Sequence, residues 1–146
     1  MIVPDTNLLL YAVDASSPHH RIAHAWLDRV MNGAEPVGFA WTAVIGFVRI
    51  TTNPRILEQP IPLETALQLM RNWLAQPVST VVEPGARHWA ILQQLLQEAG
   101  RGGNLVTDAH LAALCIERGA TLASADADFS RFRGLRYCNP IQDALR

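Results

Sequence analysis

Lysine is absent from this chain: all twelve basic residues are arginine. A Walker-type phosphate loop places a lysine on the β- and γ-phosphates, so nucleotide binding of that kind is excluded. Haloacid-dehalogenase phosphatases and response-regulator receivers also carry an aspartate after their first strand. Both rely on a lysine beside it and are disfavoured on the same ground. Cysteine is scarce as well. Cys115 and Cys138 show no CxxC spacing and no adjacent histidine, and they read as buried thiols of a reducing cytoplasm rather than a disulfide or a metal pair. No long apolar run is present either. The longest stretch, Val37 to Val48, falls short of the roughly 20 residues a bilayer span requires, so no membrane association is expected. The N-terminus lacks a basic region followed by an apolar segment, and no secretory signal is expected.

Excess charge of one sign is missing too. Thirteen acidic residues oppose twelve basic ones for a net −1, so bulk charge offers no argument for nucleic acid, and any RNA contact must come from local arginine clusters. What the chain has instead is apolar content, 49% over 146 residues. That suits one packed domain, residues 1–146, burying roughly two-thirds of its unfolded surface. There is no repeat and no low-complexity segment.

Short β-like runs alternate with helix-period segments. Strands are expected at Ile2–Val3, Val37–Trp41, Ser79–Val82, Thr121–Ser124 and Leu135–Cys138. Helices are expected at Asn7–Val13, His20–Met31, Ala43–Thr51, Leu63–Ala75, Ala86–Glu98 and Val106–Arg118. Ile22, Ala23, Trp26, Leu27 and Val30 share one face of the second helix. Asn32-Gly33, Gly100 and Gly119 mark helix ends. Alternation of this kind implies parallel pairing: an α/β fold, a three-layer α/β/α sandwich around a mostly parallel sheet of about five strands. Ligands in such sheets bind beyond the carboxyl ends of the strands.

The acidic residues acquire meaning from that rule. Of seven aspartates, Asp5 follows the first strand, Asp126 and Asp128 follow the fourth, and Asp108 opens a helix. On a parallel sheet all four can face one cleft. Carboxylates crowded together raise one another's pKa unless a cation sits between them. Oxygen-only ligands suit Mg²⁺ or Mn²⁺ rather than zinc, and such an ion can activate a water against a phosphodiester. Each residue also has a plain reading. Asp108 suits a helix dipole or cap, Asp126 and Asp128 suit a turn before Phe129, and Asp5-Thr6-Asn7 suits a helix start. Their joint occurrence at the ends of separate elements favours the functional reading.

Taken together, Asp5-Thr6-Asn7 after a strand, Thr107-Asp108-Ala109 at a helix start and Ser124-Ala125-Asp126-Ala127-Asp128-Phe129 after another strand resemble the PIN domain. Phe47-Val48-Arg49 with Thr52-Asn53-Pro54, and the closing Asn139-Pro140, are similar to its VapC toxin branch. The resemblance runs from Ile2 to Pro140. It implies a ribonuclease fold with an acidic Mg²⁺/Mn²⁺ site, homodimers, cleavage of structured RNA such as tRNA or rRNA, and inhibition by a VapB-like antitoxin. On this chain it implies Asp5, Asp108 and Asp126 as metal-binding carboxylates and Asp128 as an auxiliary acid. Asn7 or Ser124 would orient them, and a metal-activated water would attack phosphorus with one carboxylate as base. The chain departs from the pattern at Gly46, where most PIN domains carry a glutamate, and at Pro4, which removes a ladder donor from the first strand. The first departure keeps open a catalytically weak module that binds RNA or antitoxin. A small-molecule phosphohydrolase is a third reading, against which the missing lysine counts.

Among other residues, Arg49 is a candidate contact to phosphate or antitoxin, or else a buried partner of a core acid. Arg131, Arg133 and Arg136 form the best candidate phosphate patch. His19, His20 and His24 have helical spacing, but no carboxylate or cysteine completes a metal set. The four tryptophans read as core or dimer face. Leu8-Leu9-Leu10-Tyr11 is more apolar than one helix face requires, which fits a subunit interface.

Overall fold

Five short parallel strands in the order β3-β2-β1-β4-β5 form the centre of the computed structural model, which describes residues 1–146. The elements run β1 (Ile2–Pro4), α1 (Thr6–Val13), α2 (His20–Met31), β2 (Val37–Ala40), α3 (Trp41–Thr51), α4 (Leu63–Leu74) and β3 (Ser79–Val82). There follow α5 (His88–Ala99), α6 (Leu105–Arg118), β4 (Thr121–Ala123), a 3-10 turn (Ala127–Arg131), β5 (Arg136–Cys138) and α7 (Pro140–Ala144).

Alternation along each strand sends successive side chains to opposite faces. Val37, Phe39 and Ala123 enter a core shared with α1, α2, α3, α4 and α7. Val3, Ala40, Val82 and Leu122 enter a second core under α5, α6 and the 3-10 turn. The sheet is therefore covered on both faces, the expected three-layer sandwich. No helix is long and apolar enough to cross a membrane. The Leu8-to-Tyr11 run belongs to the first core rather than to an interface: Leu8 and Leu9 are fully buried, and Leu10 and Tyr11 pack against the same cluster.

Sheet order creates the cleft. From β1 the chain moves outward to β2 and β3, whereas β4 and β5 lie on its other side. Thus α1, leaving β1, feeds the first core, and Phe129, following β4, feeds the second. Connections that part in this way leave a crevice at the carboxyl ends of β1 and β4.

Pro4 is placed consistently with this. Ile2 donates to Pro36 O beside β2 at 2.9 Å, and Asp5 donates to Ala123 O of β4 at 2.9 Å. By alternation the nitrogen of Pro4 faces β2, and pairing of β1 with β2 is confined to Ile2 opposite Val37. A proline is tolerated in this central strand because the ladder it would interrupt has already parted.

Several boundaries differ from expectation. Trp41 begins α3 rather than ending β2, because Ala40 is extended and the helix starts with no loop between. The fifth helix starts at His88, since the Glu117 carboxylate holds the backbone N–H groups of Gly85 and Arg87 (2.8 and 2.9 Å) and keeps that segment in a turn. His88 then meets His110 across α5 and α6, Nε2 to Nδ1 at 2.9 Å. Gly119 closes α6 at φ +62°, a conformation that costs other residues strain. A terminal helix, α7, was not expected, although Asn139-Pro140 is a cap followed by proline at the first helical position.

Candidate active site

Asp5 is the N-cap of α1, and both of its oxygens are engaged. Oδ1 accepts from the backbone N–H of Thr6 at 2.7 Å, and Oδ2 accepts from the Ser124 hydroxyl at 2.7 Å. Ser124 is fully buried, with all its hydrogen-bonding capacity in use. Besides donating to Asp5, its Oγ accepts from Asn7 Nδ2 at 3.1 Å and from the backbone N–H of Asp126 at 3.0 Å. One hydroxyl thus ties the segment after β1 to the segment after β4. Asn7 repeats the tie, its Oδ1 accepting from Ala125 N–H at 3.2 Å. Both residues expected to orient the carboxylates lie where they can do so.

Asp126 caps the 3-10 turn through Oδ1, which accepts from Asp128 N–H at 2.9 Å. Asp128 is exposed and ion-paired with Arg131, Oδ1 to a guanidinium nitrogen at 3.0 Å. Asp108 lies half-buried in the first turn of α6, whose cap residue, Asn104, makes no side-chain bond. No hydrogen bond occupies the Asp108 carboxylate, so a capping role is set aside.

Electrostatics link the four acids. Burial pushes the Asp5 carboxyl above the ordinary aspartate range, against the lowering hydrogen bonds of Ser124 and Thr6, and the Asp126 charge adds to the rise. Asp108 is raised by burial first, then by the charges of Asp5, Asp126 and Asp128, while Arg131 partly offsets them. Asp5, Asp108, Asp126 and Asp128 therefore share one electrostatic field at the carboxyl edge.

These residues fit a hydrated hard cation. No three carboxylate, histidine or cysteine groups stand close enough to enclose an ion unaided. Mg²⁺ requires no such cage, because it keeps several of its waters and takes one or two protein carboxylates. Partly buried to exposed, mutually repelling oxygen donors at an open edge match that chemistry. Two of the three aspartates Asp5, Asp108 and Asp126 would suffice to hold such an ion.

The arginine expectation needs correction. Arg136 begins β5 opposite Thr121, the first residue of β4, so it lies at the amino edge of the sheet, beside Gly119. It is not part of any patch near Asp126. Arg133 borders a small pocket with Glu98 on the α5 side. Arg131 alone acts on the acidic field. Arg49 is exposed on α3 with no acid partner, which removes the buried-pair reading. Trp26 is core and Trp73 packs edge-on to Phe47 at 5.0 Å, whereas Trp41 and Trp89 are exposed. His20 contacts Tyr11 O at 2.9 Å, and no metal set forms around it. The largest groove, roughly 550 Å³ between α2 and α4, lies apart from the carboxylates and is lined by His20, His24, Ile61 and Trp73.

Comparison with known proteins agrees with this fold. The PIN-domain profile matches residues 2–135. The chain belongs to the PIN-domain family. It is 45% identical over 140 residues to Ribonuclease VapC37 of Mycobacterium tuberculosis, covering 96% of this chain and 97% of that one. Against Ribonuclease VapC33 of the same organism it is 43% identical over 143 residues, covering 98% and 100%. Its fold is similar to that of VapBC2 from Rickettsia felis, solved with a DNA fragment from its promoter (TM-score 0.68, 18% identity, 95% and 98% covered). It is also similar to VapC20 of M. tuberculosis, described as a toxin cleaving the sarcin-ricin loop (TM-score 0.63, 17% identity, 93% and 99% covered).

Gly46, where a glutamate was expected, packs directly on Thr6. A Cβ at position 46 would lie 2.9 Å from Thr6 Oγ1 and 3.2 Å from Thr6 Cγ2. The threonine next to Asp5 fills the space a glutamate stem would need. Gly46→Glu should therefore destabilise this PIN domain more in the native background than in Thr6→Ala, with a coupling of about 0.5–3 kcal/mol in urea unfolding. Additive effects would show that the Thr6 contact is not what excludes the larger side chain.

The raised carboxyls set a second expectation. An acid whose pKa is higher folded than unfolded releases its proton less readily in the native state, so stability falls as pH rises through the window above the ordinary 3.8. The contribution of Asp108 to the melting temperature of the metal-free protein should therefore fall as pH rises above 3.8. Asp108→Asn, which breaks no hydrogen bond, should raise the pH 7 melting temperature and flatten this dependence. A variant that melts lower than the parent at pH 7 would contradict the mutual repulsion.

Proposed function

We propose that this chain is an Mg²⁺- or Mn²⁺-dependent endoribonuclease, the toxin of a toxin–antitoxin pair, acting on structured RNA such as tRNA or rRNA in the cytoplasm. The observation that carries the reading is the buried hydrogen-bond hub at Ser124, which brings Asp5 and Asp126 from separate strand ends into one field with Asp108. Relatives named VapC ribonucleases at 45% and 43% identity support it.

When bound, the divalent ion supplies positive charge beside the scissile phosphate. The protein's own groups do the rest. Thr6 N–H and the Ser124 hydroxyl favour the charged form of Asp5 against its burial and fix its direction. Asp126 faces the same edge, with its position set by the turn it caps. Asp108, with no hydrogen bond of its own and a raised proton affinity, accepts the proton of the attacking water. Asp128 serves as an auxiliary acid that holds Arg131, and Arg131 contacts the phosphate. Arg49 and Arg133 are secondary contacts for RNA or antitoxin.

A VapB-like antitoxin is the proposed inhibitor, because solved structures with this fold include VapBC complexes. The groove between α2 and α4 offers it an apolar seat. A homodimer is proposed on α3, where Trp41 and Ile45, one turn apart, are 48% and 61% exposed.

Purified protein should cut tRNA or rRNA with Mg²⁺ or Mn²⁺, stop with EDTA and resume on metal addition. Asp5→Asn and Asp108→Asn should each lose about 10²-fold or more in rate while staying folded. Folded protein that cuts no RNA with any divalent metal would refute the proposal. Under that outcome, metal-independent RNA retention in a gel shift would favour the weak binding module that Gly46 keeps open.

A further inference from the structure

Two consecutive peptide units lead from β4 to Asp126, and side chains grip both ends of each. In the unit joining Ser124 to Ala125, the N–H donates to Asn7 Oδ1 and the carbonyl accepts from the Tyr137 hydroxyl, both at 3.2 Å. In the unit joining Ala125 to Asp126, the N–H donates to Ser124 Oγ at 3.0 Å and the carbonyl accepts from Asn139 Nδ2 at 3.2 Å. Irregular backbone normally leaves such groups to water or to a regular ladder. Here they are held by four side chains, two from the β1 and β4 ends and two from the end of β5.

Tyr137 and Asn139 are two residues apart on an extended strand, so both present to the same side, and the segment after β4 lies across them. Asn139 is 5% exposed. Its Oδ1 caps α7 by accepting from the N–H groups of Ile141 and Gln142 at 3.1 and 3.2 Å. That fixes which end of the amide is oxygen and leaves Nδ2 facing Ala125 O. Tyr137 has a second hold: its ring stacks at 6.5 Å and 26° on Phe129, inside the turn that carries Asp128.

We infer that Tyr137 and Asn139 are positioning residues for Asp126, acting through the carbonyls of Ser124 and Ala125. The inference rests on the proposed ribonuclease reading for its catalytic consequence, not for its structural one. Neither side chain touches substrate. Their effect is to fix the backbone torsions from which the Asp126 carboxylate projects, in a segment too short to be held by any sheet or helix. The closing Asn139-Pro140 pair thereby acquires a role beyond starting α7. Its amide couples the terminal helix, which packs on α2 and sends Ile141 into the first core, to the acidic edge.

The test uses full-length protein with Asn139→Ser, which keeps an acceptor to cap α7 but is too short to reach Ala125 O, and Tyr137→Phe, which keeps the ring and removes the donor. Backbone amide exchange at Ala125 and Asp126 is measured by NMR without metal, urea midpoints report global stability, and tRNA cleavage with Mn²⁺ yields kcat and KM. Both variants should exchange faster at Ala125 and Asp126 with the urea midpoint unchanged. Their kcat should fall about 10–100-fold at unchanged KM, the range seen when partners behind a metal ligand are removed. Unchanged exchange at both amides overturns the inference, and so does faster exchange without a change in kcat. A kcat loss that only tracks a lowered urea midpoint overturns it as well, since that is a merely structural role. Wild-type protein that cuts no RNA defeats the ribonuclease reading alone, and the exchange measurements still decide whether the two side chains hold Asp126.

Discussion

Like charges held together in a partly buried place are unfavourable, and this fold arranges several of them at one edge. The Ser124 hydroxyl is central to that arrangement. It has one proton and two lone pairs, and all are used: the proton goes to Asp5, and the lone pairs receive Asn7 and the backbone of Asp126. Remove it and only the Asn7 bond to Ala125 still ties the side chains after β1 to the segment after β4, which gives Asp5 and Asp126 room to relieve their repulsion. The protein instead gives up conformational freedom to hold them close to Asp108, whose proton affinity is raised first by burial and further by their charges.

The sheet makes this possible through its order. Because β1 and β4 are neighbours whose following segments diverge to opposite faces, the carboxyl edge between them opens as a crevice. Pro4 and Gly46, both departures from the usual pattern, fit it. Pro4 sits where β1 and β2 have already parted, and Gly46 makes way for Thr6, whose own N–H steadies Asp5. A PIN domain without the helix glutamate is thus a consistent structure. Its acidic set is smaller, and Asp5 within it is held at both oxygens.

Much of this was legible from sequence because it depends on local patterns. The β-like runs at Ser79–Val82 and Val37–Ala40, the amphipathic α2 and the glycine ending α6 follow from periodicity and backbone preference alone. Asp5, Asp126 and Asp108 could be placed because each adjoins the end of such an element, and Asn7 and Ser124 because they flank them. What escaped depends on contacts between distant residues. His88 starts α5 because Glu117, some thirty residues on, holds Gly85 and Arg87. Arg136 is close to Asp128 in number yet at the opposite sheet edge, since β5 must run its length before returning to the acidic end. Leu8 to Tyr11 looked too apolar for one face because α1 is wrapped by α2 and α3 as well as by the sheet. Asn139 carried a readable cap signal, but its bond to Ala125 needed the register of β4 against β5.

The central claim is that Asp5, Asp108 and Asp126 converge on a place where a divalent ion relieves their repulsion. Anomalous diffraction from Mn²⁺-soaked crystals tests it most directly. The account predicts one strong manganese peak at the carboxyl edge between β1 and β4, within coordination distance of Asp5 and at least one of Asp108 and Asp126. Full soaking with no peak there, and with the three carboxylates turned to separate surfaces, would contradict it.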